Sequence, residues 1–564
     1  VTTDTLVPGL PRRGLRLPRP GGWAVLTVGV ALLVALPVLV VLSRVFADSQ
    51  GVWAHLAGTV LPVYIANTLT LMLGVGVLTA ACGTGAAWLV TMYRFPGRGL
   101  FEWALLLPLA VPAYVMAYVY TDLLDFAGPV QTALRDVFGW GPREYWFPEI
   151  RSVEGAVAMM ALVLYPYVYM LARAAFLDQC LCVLEVSRTL GRGPWRTFRD
   201  VALPLARPAV AAGVALALME TIADYGTVAY FGVPTFTTGI YRAWFGLGEP
   251  VAAAQLAAFM LVFVAALVAL ERRSRGRARY HHTSARYRTL TRRPLRGLKG
   301  WLACAGCALP VVLGFGLPAG VLLDLAIAQG DPHWGRRFAE YATNSFILAA
   351  VTAVLAVAIA VLLAYGVRLR PTRAARAAAR VAGLGYAVPG SVIAVGVLLP
   401  FAALDNAVDG IMRQAFGVST GLILTGTIAA LVYAYLVRFL AVSYNGIEAS
   451  LGKIGPNLDG AARTLGQTAR GALLRVHAPL MRGGLMTAGL LVFVDVMKEL
   501  PATMILRPFD FDTLAIRVFR LASDERLAEA STAALAIVAV GILPVVLLSL
   551  AIARSRPGSR PPAG

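Results

Sequence analysis

The chain has 564 residues, 58% hydrophobic and 14% charged, with a mean hydropathy of +0.71 and a formal net charge of +20. A soluble domain carries about 25% charged residues, so the composition excludes a soluble globular protein. Apolar runs recur along the whole length, and about 20 apolar residues suffice for one helical span, which makes this an all-α polytopic membrane protein.

Residues 1–22 are basic and proline-rich with no helical pattern, and no small-residue cleavage site follows the next apolar run. They read as a cytoplasmic tail before a retained first span, not as a removed signal peptide. Spans are predicted at 23–46, 62–92, 101–124, 153–177, 208–230 and 251–271, a first half over 23–271. Residues 272–299 hold eleven Lys or Arg and no Asp or Glu, and read as an exposed basic linker. A second set is predicted at 300–328, 341–367, 378–404, 418–443, 482–505 and 526–552, a second half over 300–552, followed by a tail at 553–564. The total is about 12 transmembrane helices, six in each half.

Location accounts for the charge. With the N-terminus in the cytoplasm, the tails and the segments 93–100, 178–207, 272–299, 368–380 and 444–482 hold 35 of the 50 Lys and Arg. That bias predicts cytoplasmic N- and C-termini in the cell inner membrane. It explains the +20 by anionic lipid headgroups of the bilayer, and no nucleic-acid-binding motif accompanies it. Cys304 and Cys307 form a C-x-x-C inside an apolar run with no second pair, so no zinc ligand set assembles. With Cys82, Cys180 and Cys182 they read as small apolar residues. His55, His281, His282, His333 and His477 are scattered, and a surface or loop role is expected for them.

The halves repeat. Asn67-Thr-Leu-Thr-Leu recurs as Asn344-Ser-Phe-Ile-Leu, and Val111-Pro112 as Val388-Pro389, both 277 residues later. Arg188-Thr-Leu-Gly191 recurs as Arg463-Thr-Leu-Gly466, and Thr238-Gly-Ile-Tyr-Arg242 as Thr513-Leu-Ala-Ile-Arg517, both at 275. An even number of spans per half gives the repeats the same orientation.

Two long loops carry the most informative motif. Glu185-Val-Ser-Arg-Thr-Leu-Gly191 is followed after twelve residues by Pro204, and Gly460-Ala-Ala-Arg-Thr-Leu-Gly466 after twelve residues by Pro479. The Gly permits a sharp turn after a short helix, and the Pro stops the loop's hydrogen-bonding pattern ahead of the next span. This pattern resembles the EAA loop of ABC-importer permeases, with tandem six-helix halves of type I. The resemblance implies a coupling helix in each loop, docked on a cytoplasmic ABC ATPase present in two copies. Glu185, Arg188, Gly191 and Pro204 would couple in the first loop, and Asp459, Arg463, Gly466 and Pro479 in the second. The second loop departs from the pattern: Gly460 stands where Glu is expected, with Asp459 one place earlier. The chain has no G-x-x-x-x-G-K-[ST] phosphate loop, so ATP and Mg belong to the partner. No cofactor is expected on this chain, and it is not expected to be an enzyme.

After each loop the sequence resembles the fused permeases of periplasmic iron(III) importers over nearly the whole chain. The segments are Glu220-Thr-Ile-Ala-Asp224-Tyr-Gly-Thr and Asp495-Val-Met-Lys498-Glu499-Leu-Pro-Ala-Thr. Fused permeases for thiamine and for phosphonates share much of the pattern. The resemblance implies iron(III) import by alternating access, with a periplasmic binding protein as partner. Glu220 and Asp224 are four apart on one helix face, as are Asp495 and Glu499. Charges within a span face a bundle interior or a water-filled cavity, and hard cations favour oxygen ligands. A carboxylate-lined path through Glu220, Asp224, Asp495, Lys498 and Glu499 is one reading. Local pairing such as Lys498 with Asp495 is the other, and no metal ligand is assigned. Arg173 and Arg438 are expected to snorkel or pair helices. A twelve-span secondary transporter fits two six-span repeats but not the paired loops.

Overall fold

Lipid offers no hydrogen bonds to a backbone, so a chain this apolar has to fold as helix. The computed structural model describes residues 22–49, 51–142, 144–178, 187, 191, 193–275, 292–329 and 335–554. Among them eleven helices are long and apolar enough to span a membrane, or twelve when a pair bent by 90° near residues 110–113 counts as one. The one strand pairing among the described residues is Tyr93–Arg94 beside Arg293–Pro294.

In chain order the main elements are α1 (Gly22–Ser43), α2 (Leu61–Met92), α3 (Ala113–Leu124), α4 (Val153–Asp178), α5 (Leu203–Ala223), the short α6 (Gly226–Tyr230) and α7 (Pro250–Arg275). The second half continues with α8 (Leu298–Val311), α9 (Leu317–Ala328), α10 (Arg336–Leu369), α11 (Arg373–Ala382), α12 (Gly390–Phe416) and α13 (Ile428–Gly452). It ends with the loop helix α14 (Pro456–Thr464), α15 (Ala478–Met497), the short α16 (Pro501–Leu506) and α17 (Leu527–Arg554).

Within each half one span packs against two others: α4 on α2 and α5, and α10 on α13 and α15. Small residues let backbones approach in this way. A Cβ on Gly83 would stand 2.7 Å from Val168 Cβ, and one on Gly213 2.7 Å from Val168 Cα. The first span of each half crosses over. Helix α1 lies on α11 and α12 of the second half, while α8 and α9 lie against α2, α3 and α17. Tyr120 of α3 donates to Leu313 O at 2.7 Å, between α8 and α9. Exposed Leu32, Leu73, Leu302 and Val354 form the outer, lipid-facing surface.

Five predicted spans differ from the observed ones. The span expected at 101–124 is broken by a 90° bend between Arg98–Ala110 and Ala113–Phe138. The span expected at 378–404 begins instead at Gly390 and runs to Phe416, because Pro389 disfavours helix in the residue before it. The span expected at 418–443 begins at Ile428. Residues 418–427 are not helical: the buried Asp405 accepts from Leu424 N at 2.9 Å and from Thr425 N at 2.9 Å. The spans expected at 208–230 and 482–505 each stop early, at Ala223 and Met497, and resume as the short helices α6 and α16.

Candidate translocation path and coupling loops

Both early stops are made by a carboxylate that the sequence repeats. Asp224 accepts from Thr227 N at 3.0 Å, Thr227 Oγ1 at 3.1 Å and Val228 N at 3.2 Å. Its counterpart Glu499 accepts from Ala502 N at 2.9 Å, Thr503 N at 3.1 Å and Thr503 Oγ1 at 2.7 Å. Each thereby satisfies the free N–H groups that open a short helix. The two breaks meet: a Cβ on Gly226 would stand 2.8 Å from Leu500 Cδ2.

Glu220 and Asp495 stand one turn earlier. Asp495 Oδ1 lies 3.1 Å from Lys498 Nζ. Glu220 Oε2 lies 3.6 Å from Arg438 Nη2 across the two halves, and Arg438 Nη1 lies 3.4 Å from Glu499 Oε1. Arg438 is buried, as the pairing reading of it required. At the repeat offset Val163 stands for Arg438 and Ala223 for Lys498. The four carboxylates therefore come from both halves, while the two cations come from the second half alone.

All five predicted residues border a small chamber of about 120 Å³ between the halves. A larger cavity of about 1060 Å³ runs from Glu271, Arg272, Arg376 and Arg380, at the end that carries the loops, up to Asp495 and Lys498. Leu109, Tyr167, Tyr386, Asp495 and Lys498 line both spaces and form the partition between them. The Tyr167 and Tyr386 hydroxyls are 3.5 Å apart across the halves. Sequence reading missed these tyrosines because nothing local marks them: Val442 and Leu109 stand at the repeat-equivalent positions. Among the described residues no three His, Cys, Asp or Glu converge closely enough to hold a metal ion.

Of the loop residues, Glu185 and Arg188 lie outside the described residues. Gly191 and Gly466 both have positive φ, +74° and +72°. In the second loop Gly466 N donates to Arg463 O at 3.0 Å and Gln467 N to Ala462 O at 2.9 Å. This double closure ends α14 with a left-handed glycine. Leu458, Arg463 and Leu465 are exposed on α14. Pro204 and Pro479 do not end the loop's helical hydrogen bonding, contrary to expectation. Each sits in the first turn of its span, after one wider π-turn, 198–202 or 473–477, that absorbs the missing N–H. His477, for which a surface or loop role was expected, does lie in the loop segment, directly before α15, but is fully buried. Asp459, expected to meet a partner, lies with Oδ1 2.7 Å from His477 Nε2 and Oδ2 2.8 Å from Arg368 Nη2.

Residues 79–276, which contain α4, the first loop and α5, match the family described as binding-protein-dependent transport system inner membrane component. The molybdenum transport system permease protein ModB of Escherichia coli strain K12 is 30% identical over 163 residues, 28% of this chain and 68% of that protein. The chain belongs to this family. It is a multi-pass inner-membrane permease, and its family works with a separate substrate-binding protein. The permease is also similar to the Fe(3+)-transport system permease protein FbpB 2 of Haemophilus influenzae. Identity is 27% over 538 residues, 94% of this chain and 98% of that protein. A second Haemophilus influenzae protein, named as a putative ferric transport system permease protein FbpB 1, is 24% identical over 517 residues, 87% of this chain and 78% of its own length.

Proposed function

We propose that this permease imports iron(III) by alternating access, driven by a separate ABC ATPase that docks in two copies on the two loops. The observation that carries the substrate is the likeness to a protein named for Fe(3+) transport over 98% of that protein's length. The repeated carboxylates at the chamber supply suitable chemistry, since hard cations favour oxygen ligands. A conducting site must also release its ion. Lys498 and Arg438 suit that need, because they compete for the carboxylates and leave no closed ligand cage.

In this reading the halves 23–271 and 300–552 rock against each other, with both termini in the cytoplasm. The large cavity is then the inward-facing route, and the partition of Leu109, Tyr167, Tyr386, Asp495 and Lys498 is what the stroke opens. Exposed Leu458 and Leu465 on α14, with Arg463 beside them, offer an apolar and basic face for the ATPase.

The test is uptake by energised cells, with and without the gene, of radio-iron(III), thiamine, a phosphonate and molybdate in parallel. Selective loss of iron uptake is expected. Unchanged iron uptake with loss of another substrate would overturn the iron reading while leaving the permease assignment intact.

A further inference from the structure

The second loop is held to the bundle by an ionic tie. Asp459 sits on the inner side of α14. Arg368, in the last turn of α10, reaches it with Nε at 2.9 Å and Nη2 at 2.8 Å from Oδ2. The same guanidinium donates from Nη1 to Leu451 O at 2.7 Å and from Nη2 to Ile454 O at 2.8 Å, at the end of α13. From the other side His477, the residue before α15, puts Nε2 2.7 Å from Asp459 Oδ1 and Nδ1 3.0 Å from Ala472 O. Tyr365, one turn before Arg368, donates to Ala469 O at 2.8 Å and packs its ring 5.4 Å from that of His477.

The repeat places different chemistry in the first half. Trp88, Thr91, Leu184 and Ala202 stand at the positions of Tyr365, Arg368, Asp459 and His477. None of the four is charged. Trp88 instead packs against Phe176 at 5.3 Å and Phe198 at 5.0 Å. Apolar contact is weakly directional, whereas a fork of charge-assisted hydrogen bonds fixes distance and angle.

We propose that Arg368 and His477 are positioning residues of the transport stroke. By gripping Asp459 they fasten the helix of the second loop to α10 and α15, so that the three move as one body, and Asp459 is thereby not the contact to the ATPase. The direction of transmission follows from the chain. Helix α15 is 20 residues long, about 30 Å at 1.5 Å per residue, and its far end carries Asp495 and leads into Lys498 and Glu499. A push on α14 arrives at the partition between the two cavities. The inference rests on the reading that α14 docks the ATPase.

The experiment uses the complete transporter, permease with its ATPase and loaded binding protein, in proteoliposomes, scoring iron uptake per ATP hydrolysed and retention of the ATPase. Asp459→Asn is expected to keep the ATPase bound and to lower uptake per ATP by about tenfold, within the usual range of coupling between sites. Asp459→Asn with His477→Gln is expected to recover several-fold, because the second change puts at position 477 an amide that can both donate to and accept from the amide at position 459. Arg368→Lys, which keeps the charge but not the fork, is expected to fall between the wild type and Asp459→Asn. Unaltered coupling in Arg368→Lys, or loss of the ATPase from Asp459→Asn with no recovery in the double variant, would overturn the tie. Leu465→Asp separates the two ideas. It is expected to release the ATPase, and retention of the ATPase there would instead remove the docking reading on which the tie depends.

Discussion

Asp224 and Glu499 look alike in sequence and do the same local work, yet their surroundings set them apart. Both cap a short helix, but only Glu499 also lies against the buried Arg438, at 3.4 Å. Losing a cap costs about 1–2 kcal/mol, whereas leaving a buried charge without its partner costs about 3–5 kcal/mol. Glu499→Ala is therefore expected to lower the midpoint of thermal unfolding in detergent clearly more than Asp224→Ala does. Equal losses would mean that Glu220 alone holds Arg438. The same comparison separates structure from transport. The capping bonds consume much of the acceptor capacity of Asp224 and Glu499, so Glu220→Gln and Asp495→Asn are the substitutions expected to reduce iron uptake while the protein still accumulates in the membrane. Uptake assays normalised to membrane protein decide between the pairs. Neither the capping role nor the cross-half contact of Glu220 was legible in the sequence, because spacing places residues on a helix face without showing which neighbour that face meets.

At the scale of elements, each coupling loop depends on a glycine in the left-handed region. The left-handed conformation costs a residue with a Cβ about 1–2 kcal/mol, and nothing lies within 4 Å of a Cβ built on Gly191 or Gly466. Strain and the new charge, not a clash, are thus what Gly191→Asp and Gly466→Asp introduce. Both variants are expected to insert normally and to abolish transport, which membrane immunoblots and uptake assays report together. Normal uptake in both would remove the coupling role of the loops. Asn and Asp both tolerate positive φ better than most residues with a Cβ, but Asn adds no charge, so Gly466→Asn is expected to retain more uptake than Gly466→Asp. The paired π-turns before Pro204 and Pro479 teach a related lesson. A proline marks a place where one hydrogen bond is missing, and a helix that widens by one residue can run through it. The stretch 418–427 makes the opposite point, since a span was expected to start there and one buried aspartate holds it as a loop.

For the whole molecule, the crossing of the first spans holds the halves together. Helix α1 reaches the second half through Pro37, whose carbonyl oxygen would lie 2.2 Å from a Cβ on Gly396. Gly396→Val is accordingly expected to lower thermal stability in detergent by several degrees, an overpacking cost of about 1–3 kcal/mol. An unchanged midpoint would show that α1 can shift without loss. The sequence alone determined the class, the helical architecture, the two-fold repeat, the family and the glycines of the loops. These depend on hydropathy, on short-range spacing and on backbone rules that act within a few residues. The tertiary structure decided what depends on distant segments meeting. It turned Asp459 inward to Arg368 and His477, buried His477 within its loop, set Tyr167 against Tyr386, and brought Arg438 against Glu220 and Glu499. Those pairings join residues from 18 to 219 positions apart, and no local pattern encodes a contact formed only when the spans have packed.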